Sequence, residues 1–166
     1  LDKFLEDAKC PRFLDINLRA PWFDKHMVRR SLLRAEIVKL NEDELKTVSE
    51  YFKIKANSLE AAATELMTQF NLKKLIITAG ESGAWLLDQE RNILKAPPVN
   101  SASPIVDTVG AGDAFSAIFI IGLLQQWDPL LSLQRANQFA AALCQVRGGA
   151  PSNLDFYLPF KQEWSI

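Results

Sequence analysis

Short apolar segments alternate with amphipathic segments through the first half of this chain. Residues 13–16, 36–40 and 75–78 have the length and composition of buried strands, and helical periodicity marks residues 42–52 and 59–70 between them. A strand that returns to its sheet through a helix runs parallel to the strand before it. The alternation therefore predicts an α/β fold with a mostly parallel sheet and helices on both faces.

Residues that favour helix ends divide the chain further. Asn41 and Ser58 are placed to cap two of the predicted helices, and Pro21 to begin another that runs to residue 33. A break at Gly148 ends the last predicted helix. The remaining expected elements are strands at 83–87 and 91–96, a turn at 80–83, and helices at 112–127 and 129–147.

Length and composition argue against several classes of partner. With 166 residues and 48% hydrophobic content, the chain is long enough for one compact domain. A net charge of −1 gives no reason to expect a nucleic acid or an anionic membrane as a partner. The longest apolar run, around residues 114–124, is shorter than the about 18 residues that a membrane span needs. Cys10 and Cys144 are expected to be buried thiols of a cytoplasmic protein, because their spacing indicates neither a zinc site nor a disulfide framework.

One loop combines two glycines with a carboxylate at a predicted helix start. Gly110 and Gly112 precede Asp113, and an apolar helical segment follows at once. A helix N-terminus has N–H groups without intrahelical partners and a partial positive charge, so it favours an anion such as phosphate. Phe115 occupies the third glycine position of a dinucleotide-binding Gly-x-Gly-x-x-Gly, and the chain has no P-loop sequence, which argues against both of those alternatives.

Asp113 is unexpected beside an anion site, because its negative charge repels the ligand. A carboxylate has a chemical use there if it accepts the proton of a hydroxyl group that attacks phosphorus. The N–H groups of Gly110, Ala111, Gly112 and Asp113 would then stabilise the transferred phosphoryl group. An Asp in the first turn is also an ordinary helix cap, so the residues alone leave a structural role open.

The stretch 107–115, Asp-Thr-Val-Gly-Ala-Gly-Asp-Ala-Phe, resembles a signature of the PfkB (ribokinase-like) family of carbohydrate kinases. Residues 15–19, 41–44 and 78–83 resemble three further motifs of that family, in the family's order. The resemblance extends over residues 13–152 and corresponds to the C-terminal part of a family member. It implies a ribokinase-like, Rossmann-like α/β/α fold of three layers that is truncated at the N-terminus. Residues 1–166 would be the nucleotide-binding and catalytic portion, without the sugar-binding half and the lid.

The resemblance implies ATP-dependent phosphorylation of a sugar hydroxyl, with Asp113 as the general base. Asp15, Asn17 and Arg19 match a pattern typical of the fructokinase and 2-keto-3-deoxygluconate kinase side of the family, and would contact the substrate or a phosphate. A guanidinium can bind a phosphate through two hydrogen bonds. A surface salt bridge is the structural alternative for Arg19.

The resemblance assigns Asn41 to the nucleotide and Glu44 to Mg²⁺, either directly or through water. Carboxylate and amide oxygens suit Mg²⁺, which keeps several of its waters when it binds to a protein. Ordinary capping at the start of a helix is the alternative explanation for this Asn-x-x-Glu sequence.

The resemblance also implies nucleotide contacts at the turn after the third predicted strand and on two later helices. Glycines in a turn allow a ligand to approach the backbone closely, although a plain β-turn and a solvated helical asparagine are the structural alternatives. The residues so assigned are Thr78, Gly80, Gly83, Gly112 and Asn137.

A monovalent cation site, suited to K⁺, is implied near the glycine loop. Asp107 would contribute its carboxylate and Ser152 its hydroxyl, while other positions would contribute backbone carbonyls. Formation of a local turn is the structural alternative for Asp107. The positions assigned to carbonyl ligands are Val109, Leu143, Val146 and Gly148.

Two other functions are compatible with these features. The chain is expected to be a piece of a longer protein and inactive alone, so it could serve as a nucleotide-binding module without catalysis. The acceptor could also be a non-sugar alcohol such as a nucleoside. For the full-length protein, we expect a cytoplasmic enzyme that binds ATP and a small sugar and forms a homodimer.

Overall fold

The computed structural model describes residues 2–99 and 104–166, which fall into two compact units. The N-terminal unit is Leu1–Lys95, and the C-terminal unit is Ala96–Ile166. The assignment of residues 1–166 to the nucleotide-binding and catalytic portion of a kinase stays a prediction.

The N-terminal unit is built on a sheet whose five described strands are arranged in chain order. The first three strands run parallel to one another, and the fourth runs antiparallel to the third. This arrangement confirms the predicted mostly parallel sheet. The strands are β1 (Phe13–Asp15), β2 (Ile37–Asn41), β3 (Lys74–Thr78), β4 (Ala84–Asp88) and β5 (Ile93–Ala96).

The helices of this unit start where side chains satisfy their first N–H groups. The predicted caps are confirmed, because Asn41 accepts from the Glu44 N–H at 2.8 Å and Ser58 accepts from the Ala61 N–H at 3.1 Å. The predicted start at Pro21 is wrong: Asp24 is the capping residue, and the helix begins at Lys25. The described helices are α1 (Asp2–Asp7), α2 (Lys25–Leu32), α3 (Glu42–Phe52) and α4 (Leu59–Phe70).

The core of the N-terminal unit lies where the helices cover one face of the sheet. Alternate residues of β2 and β3 point to this face, and they pack with apolar residues of α3 and α4. The residues of the other face are also buried, as expected for parallel strands, and Lys39 is the charged member of that set. The main contributors to the core are Val38, Leu40, Leu45, Val48, Ala63, Leu66, Leu75 and Ile77.

Two long helices, α5 (Ala111–Leu124) and α6 (Pro129–Leu143), pack against each other in the C-terminal unit. Both end earlier than the sequence predicts. The predicted end of α6 at residue 147 is wrong, because Cys144 is its C-cap and the chain then turns. The predicted end of α5 at residue 127 is also wrong, since Gln125 closes the helix and Gln126 has the left-handed φ of 56°.

A seventh helix, α7 (Leu158–Trp164), follows a short 3₁₀ turn, and the sequence analysis did not predict it. Its aromatic side chains pack on Phe139 of α6, with ring centroids 5.0 Å apart for Phe160 and 6.4 Å apart for Trp164. This helix of only seven residues therefore depends on tertiary packing, because helices of that length are unstable alone in water.

The prediction that both cysteines are buried is wrong for Cys10. This residue is exposed in the segment between α1 and β1, whereas Cys144 is half-buried, and both thiols are free. Across residues 2–99 and 104–166, no helix combines the length and apolar character that a bilayer span requires.

Gly122 of α5 lies close to Ser132 of α6, and this close contact generates a stability prediction. A Cβ atom at this position would come within 2.9 Å of Ser132 Cβ and 3.1 Å of Trp127 Cε3. Gly122→Ala should therefore lower the free energy of unfolding by about 1–3 kcal/mol through overpacking. The loss should outweigh the about 1 kcal/mol that alanine gains over glycine in helix propensity. Urea denaturation measures the effect.

The double variant Gly122→Ala/Ser132→Ala is the control for this prediction. It removes the Ser132 hydroxyl that the new methyl group would meet, so part of the lost stability should return. A stabilising effect of Gly122→Ala alone would contradict the packing described here.

Candidate active site

The C-terminal end of β1 carries Asp15, the first residue predicted to contact a substrate. Its carboxylate forms an ion pair with Lys39, the residue opposite it in the parallel register, and 2.9 Å separates Lys39 Nζ from Asp15 Oδ2. Lys39 is only 5% exposed. Lys39 was not among the predicted site residues, although a charged residue inside an otherwise apolar strand is a sign of a special role.

Asn17 and Arg19, the other residues of this motif, are exposed and contact each other. Arg19 Nε donates to Asn17 Oδ1 at 3.2 Å. Asn17 has a φ of 46°, a left-handed conformation that is uncommon outside glycine and enriched in asparagine. Between these residues, the Leu18 N–H donates to Glu44 Oε1 at 2.9 Å. The segment after β1 is thus held against the first turn of α3.

An open cleft of about 190 Å³ lies beside this segment. Asn17 and Arg19 line it with polar groups, while Trp22 and Met27 add apolar surface. Trp22 is 79% exposed, so its ring is accessible to a ligand. The cleft combines a cation, an amide and an aromatic ring, which suits a small polar molecule.

Asn41 and Glu44 form a complete capping box at the start of α3. Glu44 Oε2 accepts from the Asn41 N–H at 2.8 Å, in addition to the bond from Leu18 to Oε1. Glu44 is 9% exposed, and both of its carboxylate oxygens accept backbone N–H groups. The capping alternative is therefore realised, and the assignment of Glu44 to Mg²⁺ stays a prediction.

Thr78 and the two glycines after it form a tight turn between β3 and β4. Thr78 is the register partner of Asn41, and its hydroxyl donates to the Leu40 carbonyl at 3.5 Å. Gly80 and Gly83 have φ values of 53° and 92°, and the Ala79 N–H donates to the Gly83 carbonyl at 2.8 Å. The structure thus brings two predicted nucleotide residues, Asn41 and Thr78, to neighbouring positions at the carboxyl ends of parallel strands.

The start of α5 differs from the other long helices because no side chain caps it. Gly110 occupies the N-cap position with a φ of 80°, in the left-handed region. The Ala111 N–H donates to the Thr108 carbonyl at 3.2 Å, and Asp113 stands exposed in the first turn. Side chains cap the remaining helices of eight or more described residues: Asp24 for α2, Asn41 for α3, Ser58 for α4 and Asp128 for α6.

Asp107 connects the loop before α5 to the loop after α6, both within the C-terminal unit. Its carboxylate accepts from the Val109 N–H at 3.0 Å and from the Gly148 N–H at 3.1 Å. These two hydrogen bonds hold the pKa of Asp107 below its ordinary value. Burial, and then the nearby charge of Asp107, raises the pKa of the Cys144 thiol. The turn-forming alternative for Asp107 is therefore realised.

The positions predicted for a monovalent cation come together only in part. Asp107, Val109 and Gly148 are joined by the hydrogen bonds to the Asp107 carboxylate. The Leu143 carbonyl accepts from the Val146 N–H at 3.1 Å and is thus already used in a turn. Ser152 is exposed a few residues further along the chain. Hard oxygen donors suit K⁺, and the Asp107 carboxylate at this loop junction is compatible with such an ion.

Asn137, predicted to lie near the adenine, holds a loop of its own unit. Its side-chain amide donates to the Ala96 carbonyl at 3.4 Å and to the Pro97 carbonyl at 3.3 Å. These contacts attach α6 to the segment that follows β5. Neither the solvated nor the nucleotide-contacting interpretation anticipated this structural role.

The predicted site residues are divided between the units. Those from Asp15 to Gly83 belong to the N-terminal unit, and those from Asp107 to Ser152 to the C-terminal unit. No group of three or more His, Cys, Asp or Glu side chains suited to a metal ion occurs among residues 2–99 and 104–166.

Comparison with known proteins relates this architecture to a family of kinases. Residues 4–155 match the sequence model of a protein family that is described as "pfkB family carbohydrate kinase". A fructokinase of Salmonella typhimurium is 30% identical to the chain over 156 residues, which cover 86% of this chain and 47% of that protein.

Two solved structures resemble the chain closely in backbone geometry. Aminoimidazole riboside kinase from Salmonella enterica, complexed with aminoimidazole riboside and an ATP analog, has a TM-score of 0.73 at 26% identity, over 88% of this chain and 50% of that chain. Ribokinase from Thermotoga maritima has a TM-score of 0.76 at 19% identity, over 96% and 52%. The chain thus has the predicted ribokinase-like α/β fold. It spans about half the length of these proteins and 35% of two further curated relatives.

Gly110 also has a packing role that can be tested. A Cβ atom at this position would lie 2.7 Å from Gly149 Cα and 2.8 Å from Gly149 O, and the residue is left-handed. Gly148 has a similar φ of 88°, but the space around it is open. Gly148→Ala should therefore cost about 1–2 kcal/mol from backbone strain alone. Gly110→Ala should cost about 1–3 kcal/mol more, because it adds overpacking.

Chemical denaturation of the two variants and the parent chain makes this comparison directly. Gly148→Ala is the matched control for the left-handed conformation. Equal losses of stability in the two variants would show that the contact between Gly110 and Gly149 contributes nothing.

Proposed function

Because the chain belongs to the pfkB family of carbohydrate kinases, we propose that it is the catalytic portion of an enzyme that transfers the γ-phosphate of ATP to a sugar hydroxyl. The similarity to a fructokinase and to aminoimidazole riboside kinase supports a sugar or a riboside as the acceptor. The Asp15, Asn17 and Arg19 motif favours the fructokinase side of this choice.

The start of α5 is the observation that carries the proposal. This helix of 14 residues begins without a side-chain cap, after a left-handed glycine, and with an exposed carboxylate in its first turn. An anionic ligand would satisfy the N–H groups that a capping side chain satisfies elsewhere. Since Ala111 already donates its N–H to Thr108, we assign the anion chiefly to the N–H groups of Gly112 and Asp113.

Asp113 is the general base of the proposed reaction. Its carboxylate takes the proton of the acceptor hydroxyl while the hydroxyl oxygen forms a bond to the γ-phosphorus. The bond between that phosphorus and the bridging oxygen breaks, and ADP leaves with the electron pair. The N–H groups at the start of α5 oppose the negative charge on the transferred phosphoryl group. The first turn of α5 fixes the backbone position of Asp113.

The proposal assigns further contacts residue by residue. Asn41, Thr78, Gly80, Gly83, Gly112 and Asn137 would contact the nucleotide. Asp15, Asn17 and Arg19 would contact the acceptor or a phosphate, beside the cleft that Trp22 lines. Several of these side chains also have structural partners, so the nucleotide would meet groups that are already fixed in orientation.

Metal ions enter the proposal in a limited way. Mg²⁺ bound with ATP would neutralise charge on the phosphates. Glu44 would act toward it directly or through water, while its oxygens also accept N–H groups of Leu18 and Asn41. K⁺ at the Asp107 loop junction would add positive charge near the glycine turn. We also propose that the full-length protein is cytoplasmic and forms a homodimer.

A nucleotide-binding module without catalysis is the second candidate. The observation that favours it is the share of each relative that the chain spans, about half. Calorimetric titration of the 166-residue chain with Mg-ATP, together with phosphorylation assays of the full-length protein, separates the two candidates. Turnover by the full-length protein supports the kinase, and binding without any turnover supports the module.

Asp113→Asn in the full-length protein tests the base directly. The amide keeps the size of the side chain but cannot accept the proton, so kcat should fall by about 10²–10⁴-fold. The KM for ATP should stay within about twofold, because the N–H groups are unchanged. Steady-state kinetics with a panel of sugars gives both values.

Asp128→Asn is the matched control for that variant. Asp128 caps α6 by accepting from the N–H groups of Leu130 and Leu131, and asparagine caps a helix as well as aspartate does. This control should keep full activity. An Asp113→Asn enzyme with unchanged kcat would remove Asp113 from the mechanism.

A further inference from the structure

Lys39 is a buried cation in the middle of the parallel strand β2. It follows two buried apolar residues of β2, and only 5% of its surface is exposed. Transfer of a lysine ammonium out of water is strongly unfavourable unless a partner and hydrogen bonds compensate it. The burial of Lys39 therefore has to be explained by what its ammonium group contacts.

The contact is Asp15, directly opposite on β1. The side chains of Lys39 and Asp15 are 7% and 20% exposed, with 2.9 Å between Nζ and Oδ2. Lys46 and Asp43 form a pair of the same residue types at the same distance, but their side chains are 59% and 91% exposed. The buried pair is thus held with far less solvent screening than the surface pair.

The pair lies at the start of the segment 15–19, which the proposed function assigns to the acceptor. Lys39 also supports this segment through its backbone, because its carbonyl accepts from the Ile16 N–H at 3.3 Å. Two residues later, the Leu18 N–H is fixed by Glu44 at 2.9 Å. Asn17 lies between these two anchors in a left-handed conformation, next to the cleft.

We propose that Lys39 is a positioning residue for the acceptor, acting through Asp15. This inference rests on the proposed function. The ammonium group fixes the Asp15 carboxylate at the carboxyl end of β1, and Asp15 and its neighbours in turn present Asn17 and Arg19 to the cleft. Ligands of open α/β sheets bind at the carboxyl ends of the strands, and Asp15 is the last residue of β1. A pair of apolar residues could stabilise the sheet equally well, so stability alone does not account for the two charges.

Kinetics of the full-length protein test the role of Lys39. Lys39→Met keeps an unbranched side chain, shorter by the terminal amino group, and removes its charge. The KM for the acceptor should rise by about tenfold or more, while the KM for ATP stays within about twofold. Loss of folded enzyme would lower the apparent kcat but would leave both KM values unchanged, so the selective change in KM identifies positioning. Lys46→Met is the matched control, and its kinetics should equal those of the parent enzyme.

A second variant covers the case in which Lys39→Met folds poorly. Lys39→Met/Asp15→Asn leaves no unpaired charge in the buried pair, so it should recover the melting temperature and still show the raised KM for the acceptor. A folded variant of either kind with an unchanged KM for the acceptor would overturn the inference. Equal increases in the KM values of both substrates would overturn it as well.

Hydrogen exchange separates this inference from the proposed function. In the 166-residue chain, Lys39→Met should speed exchange of the Ile16 and Leu18 amides by about tenfold or more, whereas Lys46→Met should not. A full-length protein without phosphorylation activity would overturn the proposed function, and accelerated exchange would still show that Lys39 holds the segment. Unchanged exchange at both amides would overturn the positioning role of Lys39, whatever the activity of the enzyme.

Discussion

The N-terminal unit depends on the pairing of β2 with parallel strands on both sides. That pairing sets the direction of every side chain of β2. Val38 and Leu40 point into the core, Lys39 points to the opposite face and meets Asp15, and Asn41 emerges at the carboxyl end to cap α3. A shift of β2 by one residue would turn Val38 and Leu40 away from the core and separate the ion pair at the same time. The core and the candidate site of this unit therefore share one constraint.

The elements that the sequence predicted correctly are those determined by local chemistry. Asn41 and Ser58 cap their helices because each side chain bonds to a backbone N–H three residues later. The omission of α7 has another cause. The packing of Phe139 on Phe160 and Trp164 joins residues more than 20 positions apart, which no local pattern encodes. Lys39 was missed for the same reason, since Asp15 is its neighbour in the sheet and not in the chain.

The motifs of the candidate site were recognisable from the sequence, but their structural duties were not. Asn41, Glu44, Asp107 and Asn137 each bond to backbone groups of their own unit. These bonds satisfy backbone N–H and C=O groups, so the residues have a structural use even without a ligand. Their identities therefore cannot by themselves distinguish architecture from chemistry. Asp113 is different, because it is exposed in the first turn of a helix that lacks a side-chain cap.

The close approach of Gly110 and Gly149 makes the two positions unequal in what they tolerate over evolution. A methyl group on Gly149 would lie 3.4 Å from Gly110 Cα, which is an ordinary contact, and the backbone of Gly149 is not left-handed. A methyl group on Gly110 would overlap the backbone of Gly149. Substitution by a residue with a Cβ atom is thus sterically possible at position 149 but not at position 110. A lineage that replaced Gly110 would first have to rebuild the loop that carries Gly149.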